Sequence, residues 1–171
     1  MLDRRRIEIA DRRIEGSIQP YHAAEGLELE RARKFLERCE ESSRRRAREG
    51  LKNVLDDLRA DGRKAVGCGL LLSSARTLPA LPEILASHAL IHTADGEHFR
   101  DALKSAASQF GLSVEGVREK EIWTRAAADL EIPVAELQRL VNVIGKSIGP
   151  PWTQDQKLAA LSGWLALAGL E

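Results

Sequence analysis

The chain has 171 residues, with 26 Lys and Arg balanced by 26 Asp and Glu and 43% hydrophobic residues, the balance of an ordinary globular protein able to bury its own core. Basic residues outnumber acidic ones by 17 to 14 through Lys64 and trail them by 9 to 12 beyond it, so no strong field builds up. This argues against a dominant phosphate-binding surface, and nucleic acid stays open as a partner without being indicated by charge. The longest uncharged apolar stretch, Ala65 to Ala75, falls far short of the roughly 20 residues a membrane span needs, and Arg4-Arg5-Arg6 with no apolar run is not a secretory signal; a cytoplasmic location is expected.

The first 20 residues carry a period of two. Ile7 and Ile9 alternate with Arg6 and Glu8, and Ile14 and Ile18 resume the pattern after Asp11-Arg12, which predicts an antiparallel β-hairpin ended by Pro20. Tyr21-His22 beyond it, like Trp152 beside Pro150-Pro151, is a candidate exposed aromatic, but three Trp, one Tyr and three Phe make no base-stacking platform. From about Glu25 to Ala60, Leu29, Ala32, Leu36, Cys39, Ala47, Leu51, Val54 and Leu58 follow helical spacing. Around Glu40 to Arg46 that stripe thins to Ser42 and Ser43, so this stretch is expected to project or to meet a second copy of the chain. The Arg44, Arg45, Arg46 and Arg48 cluster reads as a solvated face with Glu–Arg pairs. Gly50 permits a kink, and Asp61-Gly62 supplies the stop.

Lys64 to Leu72 is apolar or glycine without alternation, which predicts a central strand buried on both faces, with Gly67 and Gly69 letting a helix come close. Cys39 and Cys68 fall in different elements without metal-ligand spacing and read as free thiols of a reducing compartment. Ser73 to Arg76 forms a turn. A short helix then runs from Leu81 to about Leu90, with Pro82 in its first turn. A break at Thr93 to Gly96 follows, and Asp95 caps a further helix that buries Phe99, Ala102, Leu103, Ala106 and Phe110. Leu112 to Val117 reads as a strand, Glu119 to Leu130 as a helix, and Pro133 opens another carrying Leu137, Leu140, Val141 and Ile144. Thr153 and Gln156 form a capping box for a last helix, which buries Leu158, Leu161, Trp164, Leu165 and Ala168.

The expected fold class is α/β: a small mixed sheet, hairpin at one edge and a βαβ-type remainder, with helices on its faces in a single domain. This order of elements, with Glu97 to Leu103 followed by Gly111-Leu112-Ser113-Val114, resembles the ribonuclease H-like fold in its Holliday-junction resolvase branch. The resemblance implies a metal-binding aspartate at Asp155, at the head of the last helix. That family's first, aspartate-bearing strand has no counterpart here, and Ala65 to Leu72 holds no carboxylate, so the nuclease chemistry is not carried over.

Chemistry-bearing residues concentrate in His88, His92, Asp95, Glu97 and His98. His88 and His92 are four apart, the spacing of two imidazoles on one metal ion, with Asp95 or Glu97 as a third ligand. Packed histidines beside a capping aspartate are the plainer reading. Ser73 and Ser74 close a strand where α/β proteins place nucleophiles, without a Gly-x-Ser-x-Gly elbow. Two functions remain open. One is a binding or assembly module without cofactor, acting as a homo-oligomer or with a protein partner. The other is a hydrolase, nuclease or metal-dependent, with His88, His92, Asp95, Glu97 and Ser73 in its site and a divalent metal on His88, His92 and Asp155.

Overall fold

The computed structural model describes residues 4–73 and 77–169. The chain is mixed α/β and divides into two compact units. Arg6–Lys64 with Ala75–Phe110 forms a helical unit, and Met1–Arg5, Ala65–Ser74 and Gly111–Glu171 form a sheet unit. Among the described residues no helix is long and apolar enough to cross a membrane.

The helical unit holds α1 (Pro20–Ala24), α2 (Leu29–Ala60), α3 (Leu81–Leu85) and α4 (His88–Gln109). The expected N-terminal hairpin is absent. Instead the chain turns repeatedly, with Ile14 N–H donating to the Asp11 carbonyl, Ser17 to Ile14 and Gln19 to Gly16. The isoleucines find apolar partners without a strand. Ile7 lies where a side chain on Gly50 would have to go, and Ile9 packs against Ala47, Ala102 and Ala106. Pro20 opens α1 at a position whose amide has no helical partner, so it starts a helix where it was expected to end a strand.

Helix α2 begins four residues later than the periodicity suggested. Gly26 sits at φ +78°, which a helix cannot contain, and the Glu28 side chain then accepts from the N–H groups of Glu30 and Arg31. Its thin middle is covered inside the unit. Ser42 and Ser43 are 3% and 2% exposed; the Ser42 hydroxyl donates to Asp11 and the Ser43 hydroxyl meets His98. The helix runs through Gly50 unbroken. Three alanines, Ala47 on α2 and Ala102 and Ala106 on α4, form a fully buried small-residue contact between the two helices.

Asp11 anchors the N-terminal turns. It is 4% exposed, accepts from the Arg13 guanidinium at 2.8 and 2.9 Å, and has Arg45 and Arg46 at 3.9 Å. Part of the basic cluster read as solvated thus faces a buried carboxylate, while Arg44 pairs with Glu40 at 2.5 Å. The Arg13 hydrogen bonds hold the Asp11 carboxyl well below the usual carboxylate range, against the opposing effect of burial. A carboxyl depressed in the fold binds fewer protons there than in the unfolded chain. Its contribution is therefore complete above about pH 4 to 5 and is lost as pH falls further. Urea midpoints between pH 6 and 3 should fall for the native chain, and Asp11→Asn should flatten that fall; equal slopes would reject the assignment.

The sheet unit holds β1 (Gly67–Leu72), β2 (Ser113–Arg118), α5 (Ile122–Asp129), α6 (Val134–Ile148) and α7 (Gln154–Ala168). The strands are parallel, Gly67 opposite Ser113 through Leu72 opposite Arg118. The strand expected to be central and covered on both faces is one of only two described, and all its residues are half-buried. Its glycines serve as expected, because a Cβ on Gly69 would overlap the Ser162 carbonyl of α7. Val117, Ile122, Leu137, Val141, Leu158, Leu161 and Leu165 form the core. The Gln156 side chain accepts from the Thr153 N–H at 2.6 Å, the expected start of α7. Arg4 donates to the carbonyls of Gly149, Pro150 and Pro151, tying the N-terminal segment of this unit to the end of α6. Both cysteines are free thiols, pushed upward in pKa by burial.

A candidate metal centre of three histidines

The expected break at Thr93 to Gly96 does not occur. The Thr93 hydroxyl, which could have opened the helix, donates back to the Ala89 carbonyl at 3.0 Å. Asp95 does cap a helix, but not its own. Its Oδ1 accepts the Tyr21 N–H at 2.7 Å, one of the unpartnered amides at the head of α1. With α4 continuous, His88, His92 and Asp95 lie at i, i+4 and i+7 on one face.

The same carboxylate brings in a residue that the spacing argument missed. His22 Nδ1 donates to Asp95 Oδ2 at 2.5 Å. A carboxylate only accepts, so Nδ1 is the donor in this bond. The His22 ring packs edge-on against both neighbours, its centroid 4.3 Å from that of His92 and 5.3 Å from that of His88. His88 and His92 face each other with their Nε2 atoms 3.1 Å apart. One ligand nitrogen from each of the three residues lies within 4.8 Å of the others. Two imidazoles on one tetrahedral Zn²⁺, each bonded at about 2.0–2.1 Å, hold their nitrogens roughly 3.3 Å apart. The His88–His92 pair, at 3.1 Å, is near that value, and His22 offers its nitrogen within 4.8 Å of both.

His22 is half-buried and His88 and His92 are exposed, so solvent reaches the group. Among the described residues no carboxylate or thiol joins the three nitrogens. The remaining expected site residues fall elsewhere. Glu97 accepts from Arg100 at 3.2 Å and lines a separate cleft of about 100 Å³ with Tyr21, Glu40, His98 and Asp101. His98 is buried against Ser43, its Nε2 3.0 Å from that hydroxyl. Burial lowers its pKa, while Glu40, Asp95 and Asp101 pull the other way. Ser73 follows β1, and Asp155 sits in the acidic first turn of α7; both belong to the sheet unit, and the histidine group does not include them. Ser74 lies outside the described residues.

His22 carried no signal as a ligand. It stands 66 positions before His88 and could be noted only as an exposed aromatic beside Tyr21. The sequence points away from it, because Pro20 reads there as the end of a strand and Asp95 as the cap of its own helix. No family model, curated protein or solved structure matches the chain.

Proposed function

We propose that the chain binds one divalent transition metal, Zn²⁺ by ligand type, on His22, His88 and His92, and acts through it as a hydrolase. The observation that carries this reading is the convergence of three imidazoles with a carboxylate behind one of them. Three neutral nitrogens and an open position make up the ligand set of a zinc site that lowers the pKa of bound water. Asp95 orients His22, as carboxylates behind metal-bound histidines do. An ion held on His22, His88 and His92 would supply Lewis acidity and an activated water for hydrolysis.

The assembly reading drew on the bare middle of the long helix, and Ser42 and Ser43 are spent there on Asp11 and His98. Two free thiols support a cytoplasmic setting. The test is a titration of chelator-treated protein with Co²⁺ followed by visible absorption. One equivalent should bind with a Kd below about 1 μM and give the strong bands of a four-coordinate site, and hydrolysis of 4-nitrophenyl acetate should appear with the metal and vanish with chelator. Absence of saturable binding, or full binding by His88→Ala with His92→Ala, would overturn the metal site. Binding without turnover would overturn the hydrolase.

A further inference from the structure

His22 also lines a groove of about 480 Å³ on the helical unit, formed where the turns of residues 12–19 curl against α1. The volume lies in the range of small-molecule sites. Its wall is aliphatic, with Ile14, Ala23 and Ile18, the last 54% exposed. Its rim carries two opposite charges, Arg12 and Glu15. The Arg12 side chain is 67% exposed and only 3.8 Å from Glu8, a loose surface pair that leaves its guanidinium available.

Resting on the metal reading above, we propose that this groove is the substrate-binding site of the same centre, and that it takes an acyl amino acid with an aliphatic side chain and a single carboxylate. His22 is the one residue that the groove shares with the histidine group, so the acyl carbonyl would lie at its His22 end. Ile14 and Ile18 receive the aliphatic side chain, and Arg12 takes the carboxylate through charge-assisted hydrogen bonds. Glu15 on the same rim repels a second negative charge, which selects a monoanion over a dicarboxylate or a phosphate ester.

N-acetyl-leucine is the probe, with N-acetyl-leucinamide and N-acetyl-glutamate as comparators, added to Co²⁺-loaded protein while the visible bands are followed. N-acetyl-leucine should shift the bands saturably, and each comparator should bind about tenfold more weakly for loss of the Arg12 contact or for repulsion by Glu15. Arg12→Gln should erase the difference between acid and amide with Co²⁺ affinity unchanged, and Ile18→Asp should weaken all three. A loaded protein whose bands ignore N-acetyl-leucine, or an Arg12→Gln variant that still prefers the acid, overturns the groove assignment and leaves the metal site standing. Protein that takes up no Co²⁺ fails the metal reading instead. Titration calorimetry of N-acetyl-leucine into the metal-free protein then judges the groove alone, and no heat of binding there overturns it.

Discussion

Asp95→Asn should weaken Zn²⁺ binding by about 10- to 100-fold while leaving the helical unit folded. The carboxylate has two tasks through two oxygens, the Tyr21 N–H on Oδ1 and the His22 ring on Oδ2. An amide has one acceptor atom, and its NH₂ cannot face either donor favourably. One of the two bonds is lost, and with it the negative charge that supports a metal-bound imidazole. Removing a ligand outright, as in His22→Ala or His92→Ala, should cost more than the asparagine does. Asp95→Ala adds the loss of the α1 cap, worth about 1 kcal/mol of stability, so comparing the two Asp95 variants separates capping from metal support. Zn²⁺ titration calorimetry with urea melts of the metal-free proteins gives both readings. An Asp95→Asn protein that binds Zn²⁺ like the native chain would reduce Asp95 to a helix cap and remove it from the metal centre.

Half of the proposed centre was legible in the sequence, and the division has a physical cause. Spacing along a helix reports which residues share a face, so His88 and His92 could be paired by counting. The meeting of His22 with that face depends on contact between α1 and α4, and no local pattern encodes it. The error at Asp95-Gly96 is instructive. An aspartate followed by glycine has the composition of a helix start, but α4 runs continuously through Asp95, and the free amide it caps is that of Tyr21 at the head of α1. The N-terminal isoleucines misled in a similar way. A period of two states only that alternate side chains want apolar surroundings; the long helix supplied them to Ile7 and Ile9, while the buried Asp11 and its Arg13 partner folded the backbone into turns. Where the signal was both local and backbone-based, as at Thr153 and Gln156 or at Gly69, expectation and structure agree.

Gly69→Ala should lower the stability of the sheet unit by about 3 kcal/mol, near the top of the range for overpacking, because what it meets cannot move aside. A Cβ there would overlap the Ser162 carbonyl and come within 2.7 Å of the Gly163 amide nitrogen. Both are backbone atoms of α7, a helix whose Leu158, Leu161 and Leu165 fill the core of this unit. The strand and the helix would have to separate, loosening those three leucines together. Gly116 on the neighbouring strand is the instructive contrast, since a Cβ there would meet side-chain atoms of Leu72, Cδ1 at 2.7 Å and Cγ at 3.1 Å, and no backbone. Gly163 gives the opposite sign. It lies within α7 with open space where its Cβ would be, so Gly163→Ala should be neutral or stabilise by up to about 1 kcal/mol through helix propensity. Trp123, Trp152 and Trp164, all the tryptophans of the chain, belong to the sheet unit, so fluorescence-detected urea unfolding reads this unit selectively. Gly69→Ala should move the midpoint down sharply and Gly163→Ala should leave it in place or raise it. Equal and small effects from both would mean that α7 does not rest its backbone on β1 at this point.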